Sequence, residues 1–325
     1  MITFSNHRMF LRLFFFCFFA ILCILPFVSE KKIAENFAFS QQSTQSLPLE
    51  QHGETDALYR EMLSSIESAI SISANIRLNL RLFDQDFSAS GTYHELKTPE
   101  LRQENATRFR LDIQIQTPVE TAEADDNNTL TIVCDNTYKY IYRFMSIEGQ
   151  KKLELIDIKR LTEAIEKDGR QALPTEVGSM FGLGGLAGML RSLRKQYDFL
   201  TPPMRSQINE KNGTVDVWKI QGRLKPEILS SLTVDAEGNH RSLPPQLPLA
   251  IDIYIGVEDR FPFRFDYFQP MKGTNEVGER FGYLLFYNRV MQDHGVSEAN
   301  FDYQPSDNIL STDITDAVIN RMLKK

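Results

Sequence analysis

Residues able to do enzyme chemistry are few and scattered in this sequence. The five histidines are His7, His52, His94, His240 and His294. None shares a helix face with a carboxylate at metal-ligand spacing, and there is no His-Glu-x-x-His pair. No Gly-x-Ser-x-Gly elbow offers a serine nucleophile. The glycine-rich run from Gly178 to Gly188 lacks the Lys-Ser/Thr ending of a phosphate loop and follows no clear strand. Adjacent carboxylates occur at Asp125-Asp126 and Glu258-Asp259, in polar segments where such groups face water. Nothing in the spacing brings two carboxylates to the separation that glycoside hydrolysis uses. These residues call for no metal and no cofactor, and the reading they support is a protein that is not an enzyme.

The strongest pattern is alternation. Asn75-Ile76-Arg77-Leu78-Asn79-Leu80-Arg81-Leu82 switches between polar and apolar at every step, and Arg108-Phe109-Arg110-Leu111-Asp112-Ile113-Gln114-Ile115-Gln116 does the same. A period of two puts the apolar side chains on one face of a strand. Such strands belong to antiparallel sheets with one wet and one apolar face. Ile76, Leu78, Leu80, Phe109, Leu111 and Ile113 are therefore the candidate lining of a cavity, or the wall of a sealed core. Arg77, Arg81, Arg108 and Arg110 fall on the polar faces, where cross-strand pairs with Asp and Glu are expected. The row Tyr138, Tyr140, Tyr142 and Phe144 fits a sheet core or a ligand-stacking surface.

Composition narrows the class further. The chain has 325 residues, 42% of them hydrophobic, enough for a large β domain. With 43 Asp and Glu against 36 Lys and Arg, it lacks the basic stripe that nucleic acid requires. Arg8 and Arg12 precede an apolar run from Leu13 to Val28 that reads as an export signal. The run would span roughly 24 Å as a helix, short of the ~30 Å hydrocarbon core. It is a cleaved signal or an uncleaved anchor, and an anchor would give membrane contact through the N-terminus. Cys17 and Cys23 lie in this segment, leaving Cys134, which reads as a buried strand residue. Residues 1–40 are thus a signal peptide or anchor, 41–56 a polar linker, and 57–325 one domain.

Within that domain an amphipathic helix is expected over 56–72, from Leu58, Met62, Ile66, Ala69 and Ile70 at helical spacing. A meander of strands follows, over 73–83, 87–96, 106–117, 130–134, 138–144 and 153–158, with a short helix at 160–167. Then comes the small, apolar, glycine-rich stretch. Met180, Phe181, Leu183, Leu186, Met189 and Leu190 make it a candidate lid or plug, or an ordinary core helix, helical from Leu186 to Lys195. Strands resume over 196–201, 214–222, 249–256, 261–269 and 279–290, and Thr312 to Lys325 closes the chain as a helix. This order predicts a mainly β (α+β) fold. Its sheet would be a curved antiparallel unclosed barrel of about ten strands, wrapped over an N-terminal helix and a short apolar helical plug.

The order of several short motifs resembles the LolA-like lipoprotein-carrier superfamily. They are Ser73-Ala74-Asn75-Ile76-Arg77, Gly91-Thr92-Tyr93 running to Pro99, and Phe109-Arg110-Leu111. Further along come the hairpin from Cys134 to Tyr142, Arg260-Phe261-Pro262-Phe263-Arg264 and Phe301-Asp302-Tyr303-Gln304-Pro305. The resemblance spans roughly 57 to 323. It implies a half-barrel holding a lipid, or the acyl chains of a lipoprotein, in an apolar cavity, in the periplasm or cell envelope. In those carriers an arginine just before the proline after the second strand helps hold the lid. Here that place is Thr98, with Lys97 before it, so the role is not carried over. Envelope sensors with a similar domain imply the alternative, an interaction module for a regulatory protein partner.

Overall fold

The computed structural model describes residues 49–82, 85–97, 107–116, 128–135, 140–147, 149–167, 185–210, 213–233, 248–271, 276–292, 296–303 and 309–323. The signal segment and Met180, Phe181, Leu183, Asp125, Asp126 and Tyr138 lie outside the described residues.

Helix α1 (Leu49–Ser68) is followed by a six-strand meander: β1 (Ser71–Leu82), β2 (Gln85–Leu96), β3 (Arg108–Gln116), β4 (Asn128–Asp135), β5 (Tyr140–Ile147) and β6 (Gln150–Asp157). Two helices come next, α2 (Ile158–Lys167) and α3 (Gly185–Gln196). The chain then runs through β7 (Tyr197–Asp198), β8 (Met204–Glu210), β9 (Gly213–Leu224), α4 (Pro226–Thr233), β10 (Ala250–Gly256), β11 (Pro262–Pro270) and β12 (Val277–Gln292). A 3-10 turn at Glu298–Phe301, β13 (Ser311–Asp313) and α5 (Thr315–Leu323) complete it.

All thirteen strands join one sheet in the order β13-β6-β5-β4-β3-β2-β1-β12-β11-β10-β9-β7, with β8 also on β9. Every pairing is antiparallel except β13 with β6. The sheet is mainly antiparallel and unclosed, as the alternation predicts. Its two meanders are stitched together by β1 against β12, residues about 200 positions apart in the chain, as in Ile76 opposite Phe286. Near the start of β1 the register slips between Ser73 and Asn75, and Asn288 on β12 takes the left-handed conformation there, with φ 49°. An extra residue of this kind bends a strand and strengthens its twist, and asparagine tolerates that backbone.

Some boundaries differ from expectation. Helix α1 starts at Leu49, inside the expected linker, and Thr55 is an interior helix residue whose hydroxyl donates to the Thr201 carbonyl at 2.7 Å. Strands β8 and β13 and helix α4 have no counterpart in the hydrophobic pattern. In β8 the sequence Met-Arg-Ser-Gln-Ile-Asn-Glu carries little apolar alternation, and backbone pairing with β9 holds it. β13 is a polar Ser-Thr-Asp paired to Leu153–Leu155.

One hydrophobic core lies on the concave face. From the sheet it takes Ile76, Leu78 and Leu80 of β1, Phe109 and Ile113 of β3, and Ile251, Ile253 and Ile255 of β10. Helix α1 adds Leu58, Met62 and Ile66, and α3 adds Leu186 and Leu190. On the convex face a smaller cluster, Leu96, Val133 and Phe301, is covered by the segment around the 3-10 turn.

Candidate functional site

Helix α3 packs against α1 and β7, and its N-terminus meets Glu95 of β2. Leu186, Met189, Leu190 and Leu193 recur at i, i+3, i+4 and i+7, giving one apolar stripe. Leu186 and Leu190 are buried and Met189 is half-buried, so the described part of the expected plug does face the core. Ala187 and Gly188 are buried too; their small size permits close approach of neighbouring backbone. The helix runs antiparallel to α1, held there by polar links. The Tyr59 hydroxyl donates to the Leu190 carbonyl at 2.6 Å, Arg194 pairs with Asp56 at 2.5 Å, and Arg191 pairs with Glu67. Burial pushes the Tyr59 hydroxyl pKa up, against a smaller lowering by Arg194.

The N-terminus of α3 is gripped by a charge. Glu95 on β2 is fully buried, on the same parity as Phe87, Ala89 and Tyr93. Its Oε2 accepts from the Leu186 backbone N–H at 2.9 Å and from the Tyr93 hydroxyl at 2.5 Å. Gly185 beside it has φ 59°, and a Cβ there would collide with the Glu95 carboxylate. Glycine is thus required twice, for the backbone and for the approach. Two residues along β2, the Lys97 ammonium pairs with Glu95 Oε1 at 3.3 Å and donates to the Ile66 carbonyl in the last turn of α1. A carboxylate therefore sits at the positive end of α3 and an ammonium at the negative end of α1, each the favourable sign for the helix dipole. Burial and then Glu95 push the Tyr93 hydroxyl well above its ordinary range, which keeps it a neutral donor.

The candidate lining residues Ile76, Leu78, Leu80, Phe109 and Ile113 are all buried, and Leu111 packs against them half-buried. In this conformation they form a packed wall with α1 and α3 over it. The wall is not wholly apolar. Arg143 and Glu154 form a directly opposed pair on the inward parity of β5 and β6, and Lys152 joins Glu154 at 2.5 Å.

The remaining candidates lie elsewhere. Tyr140, Tyr142 and Phe144 are half-buried on the convex face, where Tyr142 packs on Tyr303 at 5.5 Å between ring centres. Arg81 pairs with Asp86 across the hairpin, Arg110 with Asp112, Arg108 with Glu298, and Arg77 lies over the Tyr287 ring. Asp259 is held by Arg289. Cys134 is buried. His94 meets Ser73 at 3.1 Å on the convex face; burial lowers its pKa most, with Asp112 opposing and Arg110 adding to that shift. Among the described residues no three His, Cys, Asp or Glu side chains gather to hold a metal, and no helix is long and apolar enough to cross a membrane.

Tyr93 and Lys97 enter the sequence reading only within the motif order, and neither they nor Glu95 stand among its candidate site residues. The signal was their parity: they continue the inward series of Phe87 and Ala89, so two charges were due inside.

No family model matches the chain, and no curated protein does. Solved structures match along most of its length. A putative outer membrane lipoprotein-sorting protein domain from Vibrio parahaemolyticus is 9% identical with a TM-score of 0.32, over 76% of this chain and 95% of that one. A chain of the Pseudomonas aeruginosa MucA/MucB complex is 8% identical with a TM-score of 0.33, over 76% and 60%. A LolA superfamily protein from Nitrosomonas europaea is 8% identical with a TM-score of 0.26, over 75% and 97%.

Proposed function

We propose that the protein is an exported, non-enzymatic carrier of the cell envelope that buries a lipid or a lipoprotein acyl chain against its concave sheet face. Helix α3 is the plug that occupies the site when no guest is present. The observation that carries this reading is the Glu95 grip on the N-terminus of α3, a buried polar contact beneath an apolar helix stripe.

The energetics of exchange are balanced. An acyl chain hiding a few hundred Å² supplies several kcal/mol, at about 25 cal/mol per Å², before the costs of association. Lifting α3 exposes its own apolar stripe and breaks the buried hydrogen bond from the Leu186 N–H to the Glu95 carboxylate, a charge-assisted bond worth about 1.5–3 kcal/mol. A guest that covers Ile76, Leu78 and Leu80 in place of Leu186 and Leu190 recovers most of the apolar part. The difference that remains is small enough for the guest to be taken up and later released.

A second reading has its own observation. Leu200 and Met204 are about half exposed beside the edge strand β8, where Arg205 stacks on Trp218 at 4.0 Å. This edge suits a regulatory protein partner that adds a strand. The test of the first reading is mass spectrometry of lipids retained by the exported protein purified without detergent and incubated with envelope lipid vesicles. One lipid per chain supports the carrier. A chain that stays empty, while capturing an envelope protein through β8, moves the assignment to the interaction module.

A further inference from the structure

A recess of about 350 Å³ opens where the β1–β2 hairpin meets β12. One wall is apolar: Leu80, Phe87 and Phe281 are buried core residues near this end of the three strands. Leu80 lies across Gly282, where a Cβ would meet it. The other wall belongs to the convex parity and is polar, with Asn79, Arg81, Arg280 and Tyr283. The recess therefore straddles the rim at which the apolar face of the sheet gives way to the wet one.

Its charges are arranged for an anion. Two guanidiniums face one carboxylate, Asp86, in a chain whose net charge is −7. The Arg81–Asp86 pair, at 3.2 Å, has side chains 60% and 79% exposed, so water already competes for it and Arg81 can turn to a ligand at little cost. Arg280 is pre-positioned from behind, by Asp266 at 3.2 Å and by the Tyr283 ring at 5.7 Å. An amide and a hydroxyl complete the wall. Asn79 Nδ2 donates to the Tyr283 hydroxyl at 3.0 Å, and Asn79 Oδ1 is buried without a partner among the described residues. As drawn, the Tyr283 proton is left to donate; with the amide turned over, an Asn79 N–H is left instead. Either way the wall keeps an unspent donor beside two guanidiniums.

We infer that this recess is the headgroup site of the carrier, and that its guest is an amphiphile with a long apolar chain and an anionic carboxylate or phosphate head. The inference rests on the carrier reading. The head takes charge-assisted hydrogen bonds from Arg81 and Arg280 and the free donor of Asn79 or Tyr283. The chain leaves the recess along Leu80 and Phe87 onto the concave face.

The test uses two fluorescent probes with one tail, cis-parinaric acid and its methyl ester, titrated into the intact protein at pH 8. The variants are Arg81→Gln, Arg280→Gln and the double substitution, with Arg205→Gln on β8 as control. Arg81 is exposed, and Asp266 keeps Arg264 and Tyr254 when Arg280 is lost, so the variants fold. The expected result is acid binding about tenfold tighter than ester binding. That gap should close in the double variant with ester affinity unchanged, and persist in the control. Equal binding of acid and ester by the parent protein, or a gap that survives the double variant, overturns the headgroup site and leaves the carrier intact. Failure of both probes to bind brings down the carrier reading and this inference with it. Inorganic phosphate is the third arm; if it binds as tightly as the acid, the recess takes a free anion and the amphiphile is the wrong class.

Discussion

The two halves of the concave face are closed in different ways. Along β10 to β12 the wall fills itself with rings. Phe261 meets Phe263 and Phe286 edge-on at 5.8 and 5.9 Å, and Phe265 meets Phe286 at 6.3 Å. Along β1 to β3 the rings of Phe87, Tyr93 and Phe109 alternate with aliphatic and small residues, and Tyr93 joins the lattice through Phe286 at 6.0 Å. Gly91 carries no side chain because a Cβ would collide with the Asp112 carbonyl oxygen, and Ala89 is next to it on the inward parity. Helix α3 and the Glu95–Lys97 pair cover what the strands leave open. Ring packing is the sum of many weak contacts with no single point of failure. Helix α3 is held instead by its apolar stripe and a few polar contacts, Glu95 on the Leu186 N–H, Tyr59 on the Leu190 carbonyl and Arg194 on Asp56, which water or a guest can replace. The difference fits the proposal that the half beneath α3 is the one that opens.

The largest perturbation should come from the half meant to stay shut. Phe265→Ala removes a buried ring from the aromatic lattice and should cost about 3–5 kcal/mol in urea unfolding. Because the plug is untouched, guest affinity measured under native conditions should change little. The comparison breaks if that variant takes up guest faster while Glu95 variants do not.

Glu95→Gln should cost about 2–3 kcal/mol, because it weakens the α3 cap and leaves the Lys97 ammonium buried beside a neutral group. Guest uptake should accelerate. Adding Lys97→Met should recover part of the stability, and a double-mutant cycle measures how strongly the two charges act as a unit. Gly185→Ala forces a side chain into a left-handed backbone position and against Glu95. It should cost about 1–2 kcal/mol, with uptake again faster.

The smallest effect concerns His94, which stands between Tyr93 and Glu95 but points to the opposite face of β2. Its folded pKa lies below the ordinary 6.5, chiefly through burial. The unfolded chain therefore binds the proton more readily, and stability should fall as pH drops from about 6.5 toward the folded pKa. Urea midpoints at pH 7.5 and 5.5 should show this loss, and His94→Asn should reduce it without altering guest uptake.

Much of the frame was legible because alternation is a local signal. The inward residues of β1 and β3 could be named from their own spacing, and the stripe on α3 from its own. The closure of the sheet was not, since Ile76 opposite Phe286 depends on a pairing that no local pattern records. β13 stayed hidden because three polar residues have no period. The latch was half legible. Parity could have placed Glu95 and Lys97 inward, but their partners, Leu186 and Ile66, lie 91 and 31 residues away, and only the fold brings them together. The place of the carriers' lid arginine is Thr98 in this sequence, so that role was not carried over; Lys97, one residue earlier, grips α1.

Hydrogen exchange of the backbone amides, with and without saturating cis-parinaric acid, tests the central claim most directly. The account predicts that guest binding strips protection from residues 186–196 of α3 while the amides of β10 to β12 keep theirs. If α3 stays protected, or gains protection, while the guest is bound, the helix is part of a permanent core and not a plug.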